Sequence, residues 1–282
     1  MKVKKNQNII LSNPETKDFL ADVYYPETES KLPLVIFVHG YKGYKDWGAW
    51  DLMAEKFAEA GFFFVKFNFS HNGTTVENPS EFDDLEAFGN NNYSKELSDL
   101  DFVINHFVKD SRVDHRKIIL IGHSRGGGIS IIKTCEDIRI NGLITLASVD
   151  HLDRFPKDDA FENWKNEGFY YVENGRTKQQ MPHFYQFYED FAKDPHRFDV
   201  ERSMEMAKAH VLIVHGTSDE GVSVKNAEHL HILNPNTELF LVENGNHVFG
   251  AKEPWNEKNL PEDLNTVVEK CIEFINHKIV NE

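Results

Sequence analysis

The chain has 282 residues, of which 40% are hydrophobic and 27% are charged, a balance typical of a globular protein with a sizeable core. Its 31 basic and 46 acidic residues give a formal net charge of −15, which disfavours nucleic acid and anionic membranes as partners. The sequence has no apolar stretch of membrane-span length, no signal-peptide pattern and only two cysteines, so we expect a cytoplasmic protein with free thiols at Cys135 and Cys271.

The first hundred residues alternate between strand and helix patterns. Continuous apolar runs predict buried strands of a parallel sheet, and apolar residues at helical spacing predict the helices between them. The polar segment 72–93 exceeds the usual length of a connection, which indicates a functional or mobile loop. The predicted elements are an antiparallel hairpin over 7–25, strands at Leu34–Val38 and Phe62–Phe69, a helix over 47–60, and a helix from its cap at Ser94 to Val108.

The sequence KIILIGHSRGGG, from Lys117 to Gly128, predicts a buried strand, a tight turn and a helix. Its turn is the pattern Gly-x-Ser-x-Gly, centred on Ser124. Glycine is needed two residues to either side of the serine because a Cβ there would clash with neighbouring backbone. This context indicates a strained, exposed serine that acts as a nucleophile, although glycine-rich strand-to-helix turns also bind phosphate.

The second half of the chain resumes the alternation after a long interruption at residues 149–209. We therefore predict an α/β fold with a mostly parallel, doubly wound sheet, an N-terminal antiparallel hairpin and an inserted cap. Residues 1–148 and 210–282 form the predicted core, and 149–209 the cap or lid. The predicted strands here are Leu143–Ala147, Val211–Val214 and Glu238–Val242. Three helices are predicted: one from the turn at Ser124 to about Cys135, one over Val224–Leu233, and one from Pro261 to about Ile279.

An acid and a histidine follow later strands, at the edge of the sheet where Ser124 is expected. Parallel strands present their carboxyl ends at one edge, which is where ligands bind. A serine nucleophile needs a histidine base, and that histidine needs a carboxylate to orient it. We predict Ser124 as nucleophile, Asp219 as acid and His247 as base. Each residue alone has a structural explanation, and rival candidates exist: Glu220 and Asp150 as acid, and His215 as base, with His123 structural.

The tetrahedral intermediate of acyl transfer carries an oxyanion that backbone N–H groups must stabilise. We expect one donor from Arg125, directly after the serine, and the other from Tyr41, which follows His39-Gly40 at the end of an early strand. The side chain of Arg125 is expected to pair with a loop carboxylate or, as the second choice, with a substrate anion.

The predicted cap is rich in aromatic residues, with twelve between 149 and 209. An aromatic lid above the serine favours an apolar or aromatic acyl group, and equally the aromatics could form the core of the insertion itself. A hairpin is predicted here with Asn174-Gly175 as its turn. The candidate substrate-binding residues are Trp164, Tyr170, Tyr185 and Tyr188.

The motifs HGYKG, GHSRGG, HGTSDEGV and GNHVF together resemble the α/β-hydrolase superfamily. FVHGYKGYKDW and FVKFNFSHNGTT resemble bacterial carboxylesterases of the cinnamoyl/feruloyl type and dienelactone-hydrolase-like relatives. The resemblance implies an α/β-hydrolase fold, a serine carboxylesterase with the residue roles given above, a small-molecule ester as substrate and no cofactor. It leaves the oligomeric state open.

Two other functions remain open at this point. A serine peptidase or amidase would use the same three residues, and a binding protein of the same fold would have lost them. Metal-dependent hydrolysis is disfavoured, because the one compact ligand-like cluster, Asp150-His151-Leu152-Asp153, is equally well explained as a loop.

Overall fold

An eight-stranded sheet lies at the centre of residues 2–281, the part of the chain that the computed structural model describes. Its order is β1-β2-β4-β3-β5-β6-β9-β10; β2 is antiparallel to β1 and β4, and the other neighbours are parallel. This is the predicted fold class. The strands are β1 (Val3–Leu11), β2 (Phe19–Pro26), β3 (Leu32–Val38), β4 (Phe63–Phe67), β5 (Val113–His123), β6 (Ile140–Leu146), β9 (His210–Gly216) and β10 (Glu238–Val242), while β7 (Phe169–Glu173) and β8 (Gln180–Phe184) form a separate antiparallel pair.

Helices cover both faces of the sheet, which explains the continuous apolar runs in its inner strands, such as Leu34–Val38 in β3 and Ile118–Ile121 in β5. Along β5, Ile118 and Leu120 pack into one core and Ile119 and Ile121 into the other. Within residues 2–281, no helix combines the length and the apolar character needed to cross a bilayer. The helices are α1 (Trp50–Glu59), α2 (Leu85–Gly89), α3 (Tyr93–Phe107), α4 (Arg125–Glu136), α5 (Asp158–Glu167), α6 (Gln186–Lys193), α7 (Val200–Met206), α8 (Lys225–Leu233) and α9 (Glu262–Ile275), with a π-helical turn at Asn276–Val280.

The polar segment 72–93 is more ordered than its composition predicts. It contains the short helix α2, whose first turn is capped by the Asp84 carboxylate accepting from the N–H of Ala87 at 2.8 Å. Ser94 is not the cap of α3, because the side chain of Asn92 accepts from the N–H of Lys95 at 2.9 Å and α3 begins one residue before Ser94. Asn is as good a cap as Ser, so composition alone could not separate the two.

Between β6 and β9 the chain leaves the sheet and forms α5, β7, β8, α6 and α7. The predicted β-hairpin is present, but its turn is longer than the two residues Asn174-Gly175. The N–H of Asn174 donates to the carbonyl of Gln179, and the N–H of Lys178 donates back to Asn174, so residues 174–179 form the connection. Asn174 also accepts from the N–H groups of Arg176 and Thr177 with its side chain, which favours the wider turn.

Side-chain amides join this inserted segment to the segment 72–93. Gln179 Nε2 donates to the carbonyl of Phe82 at 2.9 Å, and Gln186 Nε2 donates to the carbonyl of Asn91 at 2.8 Å. Asn92 Nδ2 in turn donates to the side chain of Gln186 at 2.9 Å. The two segments therefore border the same edge of the sheet as one hydrogen-bonded unit.

Candidate active site

Ser124 occupies the sharp turn between β5 and α4. Its backbone has φ 55° and ψ −121°, a conformation that is costly for a residue with a side chain. The flanking glycines make the turn possible: a Cβ on Gly122 would lie 2.4 Å from the carbonyl oxygen of Gly126, and a Cβ on Gly126 would lie 2.4 Å from that of His39. At both positions the neighbouring backbone comes too close for a Cβ, which is the reason that the sequence analysis gave for glycine there.

His247 lies in the loop after β10, with its ring between Ser124 and Asp219. The Oγ of Ser124 is 3.1 Å from Nε2 of His247, and Nδ1 of His247 is 2.8 Å from Oδ2 of Asp219. The carboxylate fixes the proton of the imidazole on Nδ1, which leaves Nε2 free to accept the serine proton.

Asp219 follows β9, and its side chain is fully buried. Its Oδ1 accepts from the N–H groups of Gly221 and Val222, both at 2.8 Å. Burial alone would raise the pKa of Asp219, but hydrogen bonds from His215 and His247 outweigh it and hold this pKa well below its ordinary value of 3.8. The carboxylate is therefore anionic at neutral pH.

His215 lies behind Asp219, fully buried. Its Nε2 is 2.9 Å from the carbonyl oxygen of Val222 and 3.2 Å from Oδ2 of Asp219, so one N–H is shared between two acceptors. Nδ1 is buried and, among residues 2–281, has no hydrogen-bond partner. The proton of the ring is therefore placed on Nε2, where both acceptors lie.

The rival acids lie apart from the serine. Glu220 is exposed. Asp150 instead accepts from Asn226 and His229, with 2.9 Å to Nδ1 of His229. Ser124, Asp219 and His247 are the residues that the fold brings together.

His123, directly before Ser124 in the turn, contacts His247 from the other side. Its Nε2–H donates to the backbone carbonyl of His247 at 2.9 Å, and the two rings are 4.9 Å apart. Burial lowers the pKa of His123 to about 3, and the neighbouring His247 adds to this effect. His123 is thus a neutral donor that holds the backbone of His247.

The loop 39–47 after β3 lies against Ser124. A Cβ on Gly40 would be only 2.8 Å from the Cβ of Ser124. His39 fixes the start of this loop, since its Nδ1–H donates to the carbonyl of Gly40 at 2.9 Å and its Nε2 accepts from the N–H of Phe69 at 3.2 Å. Burial lowers the pKa of His39 to about 4, consistent with this neutral tautomer. Tyr41 follows Gly40 and borders the same cavity as Ser124 and Arg125.

The Arg125 side chain points to a helix rather than to a loop. Its Nη2 donates to Oε1 of Glu96 in α3 at 2.6 Å, and Asn91 donates to the same oxygen at 2.7 Å. The guanidinium also lies 5.1 Å from the centre of the Tyr41 ring. Burial raises the pKa of Glu96, and the charge of Arg125 opposes that rise. Arg125 is therefore neutralised from within the protein.

A cavity of about 400 Å³ opens above Ser124. Of the aromatic residues predicted to bind substrate, Trp164 and Tyr170 line this cavity. Tyr185 and Tyr188 are not among its lining residues and pack against Trp164 instead, with ring centres 5.4 and 6.4 Å away. The lining consists of Tyr41, Tyr93, Ser124, Arg125, Val149, Leu152, Arg154, Phe155, Trp164, Tyr170, Val172, His183, Phe187, Gly221, Val222 and His247.

Several lining residues were not singled out by the sequence. His183 is hydrogen-bonded through Nε2 to the hydroxyl of Tyr41 at 2.8 Å and stacks on Tyr170, with ring centres 4.8 Å apart. Tyr93 donates its hydroxyl to the carbonyl of Leu152 at 2.8 Å. These residues follow no strand and form no motif, so no signal in the sequence separates them from other polar and aromatic residues.

Three carboxylates of Asp22, Asp46 and Asp51 form the one group of possible metal ligands within residues 2–281. Two buried ammonium groups already occupy it: Lys45 Nζ is 2.9 Å from Asp22, and Lys66 Nζ is 2.7 Å from Asp22 and 2.6 Å from Asp51. The cluster is better described as an ion-pair network, and it lies behind the loop 39–47.

Comparison with known proteins agrees with this architecture. A family model described as the alpha/beta hydrolase family matches residues 35–254. The structure of Est1E from Butyrivibrio proteoclasticus with bound ferulic acid is similar to this chain, with a TM-score of 0.71 and 19% sequence identity, covering 96% of this chain and 99% of that one. No curated protein matches the sequence.

Two further solved structures are similar over nearly their whole length. A putative hydrolase from Agrobacterium vitis S4 has a TM-score of 0.70 and 17% identity, covering 98% of this chain and 100% of that chain. The esterase domain of a Rhodothermus marinus protein has a TM-score of 0.65 and 15% identity, covering 98% and 99%. At these identities the likeness establishes the fold. Because the family match also spans most of the sequence and includes Ser124, Asp219 and His247, the chain belongs to the alpha/beta hydrolase family and is a hydrolase.

Proposed function

We propose that the protein is a serine hydrolase that cleaves carboxylic esters through an acyl-enzyme on Ser124. The observation that carries this proposal is the continuous hydrogen-bonded chain from Ser124 Oγ to His247 Nε2 at 3.1 Å and from His247 Nδ1 to Asp219 at 2.8 Å. Ser124 and His247 line the cavity, so a bound ester carbonyl can meet the nucleophile and the base there, while Asp219 orients the base from behind.

In the first half of the reaction, Ser124 attacks the ester carbonyl while His247 Nε2 takes its proton. The imidazolium that forms is stabilised by the buried carboxylate of Asp219. His247 then gives the proton to the departing alcohol, and the acyl group remains on Ser124. In the second half, His247 activates a water that attacks the acyl-enzyme, and the carboxylic acid leaves.

The backbone N–H groups of Tyr41 and Arg125 are the proposed donors to the oxyanion. This is supported by the position of Arg125 as the first residue of α4, whose first-turn N–H groups lack partners within the helix, and by the contact of Gly40 with Ser124. His39 keeps the loop 39–47 in place through its two hydrogen bonds.

Residues 149–209 act as a cap over this site in the proposal. Phe155, Trp164, Tyr170 and Phe187 supply aromatic walls to the cavity, which supports an apolar or aromatic group in the bound ester. The ferulic acid named in the Est1E structure is an aromatic acid of the size that such a cavity accommodates. Tyr185 and Tyr188 would then act indirectly, by supporting Trp164 from outside the cavity.

The nucleophile is tested by replacing Ser124 with Ala and measuring turnover of small activated esters. We expect kcat/KM to fall by about 10⁴-fold or more. A fluorophosphonate should label the wild type at Ser124, as located by mass spectrometry, and should not label the variant. The matched control is Ser130→Ala, since Ser130 lies in α4 with its Oγ buried against the carbonyl of Gly126. Wild-type turnover by the Ser124 variant would refute the proposal.

The reaction class is tested with an ester and an amide that share one acyl group. For an esterase, the ratio of kcat/KM for the ester to that for the amide should be far larger than the ratio of their rates of hydrolysis by hydroxide alone. An amide hydrolysed as efficiently as its matched ester would assign the protein to the peptidases or amidases instead, because the acyl-enzyme chemistry is shared between the two classes.

A further inference from the structure

The cavity above Ser124 has a charge opposite to that of the whole chain. The formal net charge is −15, yet no Asp or Glu is among the residues that line the cavity, while two arginines are. Arg125 is neutralised by Glu96 at 2.6 Å. The second arginine, Arg154, begins the cap and accounts for the excess positive charge.

The guanidinium of Arg154 has no ion-pair or hydrogen-bond partner among residues 2–281. Six of the eight arginines in residues 2–281 pair with a carboxylate; Arg154 and Arg202 do not, and of these two only Arg154 lines the cavity. Only its backbone is fixed, with the N–H donating to the carbonyl of Leu152 at 2.8 Å. The side chain is free to bind an anion that enters the cavity.

Arg154 is exposed at the mouth of the cavity, and its backbone lies beside Tyr93, because the carbonyl of Leu152 accepts from both the Tyr93 hydroxyl and the Arg154 N–H at 2.8 Å. Tyr93 is buried beneath the cavity, and its burial raises the pKa of its hydroxyl; the positive charges of Arg125 and Arg154 both oppose that rise. Arg125 and Arg154 both line the cavity together with Tyr93. His183 adds no charge, because burial and the charges of Arg125 and Lys42 lower its pKa to about 3.

We propose that Arg154 is a specificity-determining residue that binds a carboxylate carried by the substrate, so that the preferred substrates are esters with a free acid group on one half. Bidentate binding of a carboxylate suits the planar guanidinium, and the aromatic walls suit an aromatic or apolar spacer between the acid group and the ester. The proposal rests on the proposed ester hydrolysis at Ser124, and the reaction is unchanged: ester and water give acid and alcohol.

Two pairs of esters test the proposal and identify the half of the substrate that reaches Arg154. For the acyl half the pair is monomethyl terephthalate and methyl 4-methylbenzoate. For the alcohol half it is 4-carboxyphenyl acetate and 4-methylphenyl acetate. In each pair a carboxylate replaces a methyl group, and product formation is followed by liquid chromatography. The measured quantity is the ratio of kcat/KM for the charged ester to that for the neutral ester.

We expect the ratio in one pair to be about tenfold higher in the wild type than in Arg154→Gln, with an intermediate ratio in Arg154→Lys. Added salt should reduce the wild-type ratio towards that of Arg154→Gln. The matched control is Lys157→Gln, because Lys157 is an exposed cation three residues along that does not line the cavity. Its ratios should equal those of the wild type.

Equal ratios in the wild type and Arg154→Gln for both pairs would overturn the proposal while leaving the proposed function intact, provided the neutral esters are hydrolysed. A fall in the ratio in Lys157→Gln as large as in Arg154→Gln would also overturn it, since a general charge effect would then explain both. No turnover of any of the four esters, together with no fluorophosphonate adduct on Ser124, would overturn the proposed function as well.

Discussion

At the scale of single residues, two imidazoles share one carboxylate oxygen. Oδ2 of Asp219 is 2.8 Å from Nδ1 of His247 and 3.2 Å from Nε2 of His215. His215 thus draws part of the negative charge of Asp219 away from His247. Asp219, His123 and Ser124 contact the His247 ring, and Asp219 supplies a negative charge there.

Replacing His215 with Phe should therefore shift the pH dependence of catalysis. Without the His215 N–H, more of the Asp219 charge acts on His247 and stabilises its protonated form. The acid limb of kcat/KM should move to higher pH. His215→Gln, which keeps an N–H donor, should show a smaller shift. An unchanged acid limb in His215→Phe would mean that His215 only fills space.

At the scale of an element, the loop 39–47 is held from behind by buried ion pairs. Lys45 is almost completely buried, and its Nζ donates to Asp22 at 2.9 Å and to Asp46 at 2.6 Å. Its backbone N–H donates to the side chain of Asn68 at 2.6 Å. Lys66, in β4, joins the same acids. Burial by itself would lower the pKa of Lys66, but the surrounding carboxylates raise it, so the lysine stays charged.

Replacing Lys45 with Met should destabilise the protein markedly, because it leaves buried carboxylates with fewer counter-charges. We expect the free energy of unfolding in urea to fall by about 3 kcal/mol. The control is Lys4→Met, which breaks the exposed pair of Lys4 and Glu27 at 3.3 Å and should cost less than about 1 kcal/mol. A similar small loss in both variants would show that the network does not stabilise the fold.

The elements that the sequence predicts best are those with strong, local periodicity. The inner strands β3, β5 and β9 follow from apolar runs, and the elbow at Ser124 follows from its glycines. The short helix α2 and the six-residue turn at 174–179 were missed because their hydrogen bonds involve single Asp and Asn side chains, which composition cannot distinguish from loop residues.

At the scale of the whole molecule, four buried histidines make stability depend on pH. Burial is the main cause that lowers the pKa of each from the ordinary 6.5, to about 4 for His39 and His71 and to about 3 for His123 and His183. The unfolded chain therefore binds more protons than the folded one between pH 6.5 and 4, and stability falls as the pH falls through this window.

Urea unfolding at pH 7.5 and pH 5.0 checks this dependence. Each histidine should contribute a loss of up to about 2 kcal/mol at pH 5. Asp99 offsets part of it, because burial raises its pKa to about 6 and it is protonated more readily in the folded state. His71→Asn should show a weaker pH dependence than the wild type, whereas His277→Asn, at an exposed position on the C-terminal turn, should match it. Equal stability at both pH values would contradict the assignment of neutral buried histidines.

The proposed catalytic residues could be predicted from sequence because each lies in the turn or loop that follows a strand. Ser124, Asp219 and His247 need only the rule that parallel strands end at one edge of a sheet. Arg154, Tyr93 and His183 could not be found this way, since they reach the cavity through tertiary packing of the cap against α3. The two-segment core with its cap and the cytoplasmic location stay predictions.

The hydrogen bonds that Gln179 and Gln186 make to the segment 72–93 determine which residues must be moved together when the cap is exchanged between hydrolases. A graft of residues 149–209 onto another hydrolase would leave the carbonyls of Phe82 and Asn91 behind and give the two glutamines no acceptors. The transplantable unit is therefore discontinuous and includes both segments. A chimera that exchanges both segments together should be soluble and fold cooperatively. A chimera that exchanges 149–209 alone should be less stable, because the two glutamine amides have no acceptors where the cap meets the host protein.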